Sequence, residues 1–131
     1  MNDWKDKRRE FKKIFDKRIY CYVLKLLRVL SKVDNNLVVI ELKKQLIRSG
    51  TSIGANYFEA KGASTNADFR NFFSYALKSS NESKFWLALL RDCGLIRKDL
   101  LPEIGLLLKE TDEIGKILAK SIITIKRNDG K

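Results

Sequence analysis

The sequence contains no histidine, two cysteines and one proline, and these scarcities exclude several classes of protein. Without histidine, the chain cannot form histidine-dependent catalytic triads or the Glu-x-x-His pairs of di-iron helical bundles. Two isolated cysteines, Cys21 and Cys93, cannot complete the four-ligand sites of structural zinc. The segment GTSIG at residues 50–54 lacks the length and the Lys-Ser/Thr ending of a phosphate-binding loop. We therefore expect no enzyme, no metal and no cofactor.

Long apolar runs are also missing. No uninterrupted run approaches the roughly 20 residues that span a bilayer. Residues 1–18 are charged throughout and lack the apolar centre of a signal peptide. We expect a cytoplasmic protein with no membrane partner, in which Cys21 and Cys93 are reduced core residues rather than a disulfide.

Positive charge, in contrast, is abundant. Lysine and arginine number 27 against 16 aspartate and glutamate residues, which gives a formal net charge of +11. Such a balance favours anionic partners such as nucleic acid, acidic protein or a membrane surface. Solubility alone would also explain it, and charge does not separate the two interpretations. The 131 residues, 44% of them hydrophobic, predict a single domain over 1–131 with one core.

Apolar residues recur at alternating spacings of three and four, which is typical of a helical bundle. This periodicity predicts helices at about 3–32, 38–61, 66–93 and 99–126. Turn-forming residues separate them, and Thr65 with Asp68 has the spacing of a capping box for the third helix. Gly94 fits a helix C-terminus in the left-handed region. The predicted fold is all-α, an antiparallel up-down-up-down four-helix bundle.

The centre of the second helix carries small residues where large ones are expected. Gly50 and Gly54 stand in or beside its inward stripe, which comprises Val39, Leu42, Leu46, Gly50, Ile53, Tyr57 and Ala60. Each glycine inside a helix costs roughly 1 kcal/mol relative to alanine, so two of them indicate a close helix approach. The small residues of the third helix, Ala76, Ser79, Ser80 and Ser83, are the predicted partners.

Four polar residues lie near this predicted crossing, namely Gln45, Asn56, Glu59 and Glu82. One interpretation makes them a binding site for RNA or a ligand. The other makes them a buried or half-buried network that fixes helix register, a well-attested use of buried polar groups. We favour the structural interpretation because carboxylates repel phosphate.

Two apolar surfaces exceed what one bundle can bury. Residues 19–30 of the first helix, hereafter the α1 apolar patch, point apolar side chains in nearly every direction. A second strip on the third helix, the α3 apolar strip, comprises Phe72, Tyr75, Trp86 and Leu89. A bundle covers only one side of each helix, so we expect the protein to self-associate through these surfaces.

Two groups of cations are the candidate nucleic-acid contacts. The α1 basic group, Lys5, Arg9, Lys12 and Lys13, lies on the arc opposite Trp4, Phe11 and Phe15 when residues are stepped at 100°. The α2 basic group comprises Lys43, Lys44 and Arg48. No RNA-recognition motif accompanies them. Binding is therefore expected to follow shape and phosphate rather than base sequence.

The segment SIGANYFEA at residues 52–60 resembles the S-I-P-A-N-x-x-E-G/A core of a known family. This is the four-helix-bundle family encoded in intervening sequences of bacterial large-subunit ribosomal RNA genes. The similarity covers about residues 40–96 and continues through Gln45, Arg48, Asp68-Phe69, Ala76-Leu77, Glu82 to Leu87, and Asp92 to Leu95. Gly54, Asn71 and Lys78 depart from the family pattern, where proline, a basic residue and glycine respectively are usual.

The resemblance implies assembly and two alternative functions. Similar family members form pentameric rings, so the resemblance implies a homopentamer. From the basic surfaces we expect a non-enzymatic bundle that binds structured RNA. The family is also similar to the accessory subunit of diversity-generating reverse transcriptases. The alternative is therefore a scaffold that engages a reverse transcriptase or another protein partner.

Overall fold

The computed structural model describes residues 3–129, which form a bundle of four α-helices without strands. Helix α1 spans Asp3–Ser31, α2 spans Leu37–Ala60, α3 spans Asn66–Asp92 and α4 spans Leu101–Asp129. A short 3₁₀-helix, Lys98–Leu100, leads into α4. The predicted ranges differ from these mainly at α4, which starts after that turn and continues to Asp129.

Local side chains define where the helices begin and end. The Asn36 side chain accepts hydrogen bonds from the backbone N–H groups of Val38 and Val39 at 3.0 and 2.9 Å, and so caps α2. Thr65 caps α3 by accepting the Asp68 N–H at 3.0 Å, as its spacing predicts. Gly94 adopts φ 76° after α3, which confirms the predicted left-handed glycine.

The core lies along the bundle axis and draws on every helix. Leu26, Leu46, Leu87 and Ile114 are completely buried in it. Helix α3 packs closely against α2 and α4, and α1 packs against α2 and α4. Hydrogen bonds between residues far apart in the sequence also join the helices. The hydroxyl of Ser49 bonds that of Ser83 at 2.8 Å, and Arg18 bonds Glu110 at 2.6 Å.

The two glycines of α2 face α1, which corrects their predicted partner. A Cβ atom built on Gly50 would overlap Cδ2 of Leu26, and one built on Gly54 would lie 3.1 Å from Cγ2 of Val23. The glycines therefore make room for large α1 side chains. The contact between α2 and α3 is made instead by serines, in the pairs Ser49–Ser83 and Ser52–Ser79.

Both cysteines and the first apolar residues of α1 are exposed. Cys21 and Cys93 are both exposed, so the expectation that they lie in the core is wrong. Trp4 and Phe11 are 55% and 54% exposed, and the first buried side chain of α1 is Phe15. The first three turns of α1 therefore lie outside the core.

Exposed apolar residues remain on both surfaces that the sequence indicates. In the α1 apolar patch, Tyr20 is 60% and Leu27 is 37% exposed. In the α3 apolar strip, Tyr75 is 55% exposed and Leu89 is 39% exposed. Within residues 3–129, none of the helices combines the length and the hydropathy that a membrane span requires.

Candidate nucleic-acid interface

The α1 basic group lies on the first turns of α1, where every side chain between Asp3 and Ile14 is exposed. Acidic residues in the first turn, Asp3 and Asp6, favour helix formation there through the helix dipole. None of the four cations in the group forms an ion pair with the residues that the structure describes. Their charge is consequently available to an external anion.

The α2 basic group makes polar contacts within the protein, and two of its three cations, Lys44 and Arg48, are paired with carboxylates. The Lys43 ammonium donates to the carbonyl of Val33 at 2.8 Å and to Asn35 Oδ1 at 2.9 Å. Lys44 lies 3.5 Å from the carboxylate of Glu41, one turn earlier. Together with the pairing of Arg48 described next, these contacts leave the group poorly suited to bind phosphate.

Part of the predicted polar network forms around Arg48. Its guanidinium donates to the carboxylate of Glu82 and, at 3.1 Å, to Oε1 of Gln45. The Trp86 indole N–H also donates to Glu82, at 2.9 Å. This partly exposed group therefore ties α2 to α3 through Arg48 and Glu82, with Gln45 bonded to Arg48 on the same helix.

The other two members of the predicted network lie elsewhere. Asn56 donates to the carbonyl and the hydroxyl of Ser52, both at 2.9 Å, and Ser52 in turn contacts the hydroxyl of Ser79 at 3.0 Å. Glu59 is exposed and belongs to neither group, so its assignment to a buried network is wrong. At 100° per residue, Glu59 falls within about 20° of Ser52 on the face that meets α3, but it lies in the last turn of α2 and is exposed there.

A cleft of about 900 Å³ opens at the end of the bundle where α1 begins and α4 ends. Its walls come from all four helices and combine five cations with five aromatic rings and a few smaller residues: Lys7, Arg8, Phe11, Lys12, Phe15, Tyr57, Lys61, Phe69, Phe73, Ile117, Lys120, Ser121, Thr124 and Ile125. No carboxylate is among the described residues that line it.

Lys12 lies in this cleft beside Phe11 and Phe15, which corrects its predicted position on the opposite arc. Lys5, Arg9 and Lys13 lie outside the cleft on the exposed side of α1. The predicted group is thus divided between the cleft wall and the neighbouring surface.

One ion pair at the base of the cleft holds α1 to α2. The Asp16 carboxylate accepts a hydrogen bond from the Tyr57 hydroxyl at 2.6 Å and lies 2.7 Å from the Lys61 ammonium. Burial alone would raise the pKa of Asp16, but the hydrogen bonds from Lys61 and Tyr57 outweigh it and lower that pKa. Burial, with the bond to Asp16, raises the pKa of Tyr57 well above its ordinary value. Asp16 is therefore ionised and Tyr57 neutral at physiological pH.

A second set of contacts holds α1 to α4. The Arg18 guanidinium binds both oxygens of Glu110, at 2.6 and 2.9 Å, and one oxygen of Glu113 at 2.6 Å. Nearby, the buried hydroxyl of Tyr22 bonds Thr111, and burial raises the pKa of Tyr22 to about 12. These contacts position α1, and with it the basic end of the helix, against the bundle.

Sequence reasoning missed the cleft residues Arg8, Lys61 and Lys120. A signal was present for Arg8, since at 100° per residue it falls on the same face as Phe15 and Ile19. A charged residue such as Arg8 at a core-facing position indicates that this part of the helix face is not buried in the core. Lys61 and Lys120 carried no such signal because they reach the cleft from α2 and α4.

The fold and these surfaces define a helical-bundle protein with a basic, partly aromatic end. Among residues 3–129, no group of three or more acidic or cysteine side chains is placed to hold a metal ion. The model of the family described as 23S rRNA-intervening sequence protein matches residues 17–120. The chain belongs to this family, as its resemblance indicated.

A solved structure supports the same assignment. It is a protein of unknown function from the S23 ribosomal protein family of Bacteroides thetaiotaomicron, 32% identical in sequence. The match covers 82% of this chain and 96% of that one, with a TM-score of 0.66. None of the curated proteins matches the chain significantly.

Proposed function

We propose that this protein is a non-enzymatic, self-associating helical bundle that binds structured RNA through the basic end of α1. The observation that carries the proposal is the α1 basic group, whose four cations are exposed and free of ion pairs with residues 3–129. Unpaired cations release counterions from RNA on binding, which is the main source of affinity without sequence readout. The family's link to a ribosomal RNA intervening sequence supports RNA as the anion.

Self-association is the second part of the proposal. The exposed side chains of the α1 apolar patch and the α3 apolar strip support it, because exposed apolar surface of this kind marks protein contacts. The resemblance implies a homopentameric ring. In such a ring each basic end would be repeated, and repeated moderate contacts strengthen binding through effective concentration.

An antiparallel, up-down-up-down arrangement belongs to the same proposal. Its support lies in pairs of contacts between neighbouring helices, in which a later residue of one helix meets an earlier residue of the next. Ser49 contacts Ser83 and Ser52 contacts Ser79, while Asp112 contacts Lys84 and Gly115 lies beside Ser80. Between α1 and α2, Asp16 contacts Tyr57 and Leu26 lies beside Gly50. This arrangement brings the start of α1 and the end of α4 to one end of the molecule.

The test is a titration of the assembled protein with two unrelated RNA hairpins at several salt concentrations. Replacing the α1 basic group together by glutamine should weaken binding to both hairpins. It should also flatten the dependence of log affinity on log salt concentration, by up to about 0.7 per lost phosphate contact. Circular dichroism and light scattering should show an unchanged fold and mass, because all four side chains are exposed.

A charge-matched variant provides the control. Lys78, Lys98, Lys109 and Lys116 are also exposed but lie on α3, α4 and the turn before it, so their replacement by glutamine removes the same net charge elsewhere. We expect a much smaller loss of affinity. Equal losses in the two variants would show that net charge, rather than the basic end of α1, governs binding.

The α3 apolar strip favours a second candidate function, a scaffold that engages a reverse transcriptase or another protein. Tyr75 and Leu89 are exposed on it, and Trp86 is fixed beside them by its bond to Glu82. An absence of RNA binding at low salt, together with a reverse-transcriptase gene beside this one, would favour the scaffold.

A further inference from the structure

The cleft at the basic end combines cations with aromatic and aliphatic side chains, and binding phosphate alone would not need the apolar ones. Cations form its rim, whereas its floor is aromatic and aliphatic. A duplex presents only its phosphate backbone to such a rim and would leave the apolar floor in contact with water. The cleft's volume of about 900 Å³ lies within the range of ligand clefts, roughly 300–1,000 Å³.

Phe11 is the aromatic side chain that is free to receive a planar ligand. It is 54% exposed, and its ring is stacked on Phe15 with a centroid separation of 6.0 Å and an interplanar angle of 13°. Phe15 is buried and packs in turn on the ring of Tyr57, which contacts the ring of Phe73. Helix α1 therefore presents one fixed aromatic face to the cleft.

The cations around this face are mostly free. Asp16 neutralises Lys61 at the base of the cleft. Arg8 lies over the Trp4 ring, with 5.4 Å between its guanidinium carbon and the ring centroid. Arg8, Lys12 and Lys120 form no ion pair with the residues that the structure describes. Positive charge thus surrounds the aromatic face from both α1 and α4.

We propose that this cleft binds an unpaired nucleotide of the RNA, with its base on Phe11 and its phosphates on Arg8, Lys12 and Lys120. Cationic grooves with exposed aromatic faces are the usual means of binding single strands, since every base has a face that can stack. A second copy of the chain is a poor occupant of this cleft, because its net charge of +11 would meet a cationic rim here, whereas the proposed self-association uses apolar surfaces outside the cleft. The inference rests on the proposed RNA binding and specifies unpaired nucleotides as the ligand.

The experiment compares a single-stranded oligoadenylate with a blunt RNA duplex of equal phosphate number, by fluorescence anisotropy on the assembled protein. The variant Phe11→Ala should weaken single-strand binding by roughly 5- to 150-fold, the loss expected from removing one base–aromatic stack. Its salt dependence should stay unchanged, because no phosphate contact is lost. Duplex affinity should change by less than about twofold if only phosphates are bound there.

Two further variants serve as controls. One tests whether losing any exposed aromatic ring weakens binding, and the other tests the contribution of the cations. Phe58→Ala removes another exposed aromatic ring of α2 that does not line the cleft, and single-strand binding should persist. Arg8→Gln with Lys120→Gln should flatten the single-strand salt dependence by about 0.7 per lost contact. This double variant changes cations on two helices without altering the aromatic floor.

The outcomes distinguish the two proposals. A selective single-strand defect in Phe11→Ala supports the nucleotide site. An equal effect on single strand and duplex, or no effect on either, overturns the nucleotide site while the proposed RNA binding stands. A failure of every RNA to bind the wild-type protein at low salt overturns both.

Discussion

At the scale of single residues, the glycines show how the bundle accommodates a large side chain. Gly50 faces Leu26, whose side chain is completely buried, whereas a Cβ atom added to Gly105 of α4 would meet no neighbouring atom within 4 Å. Both glycines lie inside helices and carry the same cost in backbone entropy. Only at Gly50 does the packing leave no room for a side chain.

The variant Gly50→Ala should therefore destabilise the protein although alanine is the better helix former. Overpacking costs about 1–3 kcal/mol, against a gain of about 1 kcal/mol in helix propensity, so the net loss should reach up to about 2 kcal/mol. Gly105→Ala is the matched control and should stabilise by about 1 kcal/mol. Urea unfolding at fixed protein concentration measures both. A Gly50→Ala protein at least as stable as the wild type would contradict the packing against Leu26.

At the scale of elements, α1 is held to the bundle by polar contacts at several levels. Arg18 binds Glu110 and Glu113 of α4, and Asp16 binds Tyr57 of α2. The hydrogen bond from Arg18 lowers the pKa of Glu110 below its ordinary value of 4.5, although burial opposes this shift. The attachment of α1 consequently depends on an ionised carboxylate.

This attachment predicts a loss of stability in acid. Because the folded chain holds Glu110 at a lower pKa, the unfolded chain binds more protons between the two pKa values, and stability rises with pH there. The contribution is complete above about pH 4.5 and is lost as the pH falls through the lower, folded pKa. Glu110→Gln should therefore lose less stability than the wild type between neutral pH and about pH 3.

The control for this prediction is Glu59→Gln, the same substitution at an exposed carboxylate of α2 that does not contact Arg18. Its stability should depend on pH as that of the wild type does. Unfolding by urea at each pH, at one protein concentration, provides the measurement. The same acid sensitivity in Glu110→Gln and the wild type would show that this ion pair does not stabilise α1.

At the scale of the whole molecule, positive charge is densest at the start of α1, whereas the apolar side chains proposed for assembly lie farther along α1 and on α3. The α1 basic group lies on the first turns of the helix, and the α1 apolar patch, which also contains Lys25 and Arg28, begins after it. A molecule with a net charge of +11 repels its copies, so association requires apolar contact away from the basic end. The two regions can then serve RNA binding and assembly separately.

The protein should accordingly run as an oligomer in size-exclusion chromatography with light scattering. We expect about five times the 15.2 kDa of one chain, following the family resemblance. Replacing Tyr20 and Leu27 by glutamate should reduce the mass, because charge would enter the α1 apolar patch. Leu106, 55% exposed on α4 outside both apolar surfaces, is the control for glutamate substitution. A monomeric wild type at micromolar concentration would refute self-association.

The positions of the helices and most of the buried stripe of α2 could be predicted from the sequence alone. Helix formation depends on neighbours within one or two turns, so Thr65 and Gly94 could be assigned from adjacent residues. The apolar stripe of α2 was likewise visible in the 3.6-residue period, and six of its seven residues are buried.

The contacts between residues of different helices could not be predicted from the sequence and are seen only in the tertiary structure. Arg18 finds Glu110 across 92 positions of sequence, and Gly50 meets Leu26 rather than the small residues of α3. The electrostatics of a surface follow from the same contacts, since Arg48 is paired with Glu82, whereas Lys12 forms no ion pair with the described residues and acts on Asp16 only through space. Periodicity fixes the face on which a side chain lies, but the rotation of each helix against its neighbours is set by packing of the whole core. The cleft exists only because that packing brings the ends of four helices together.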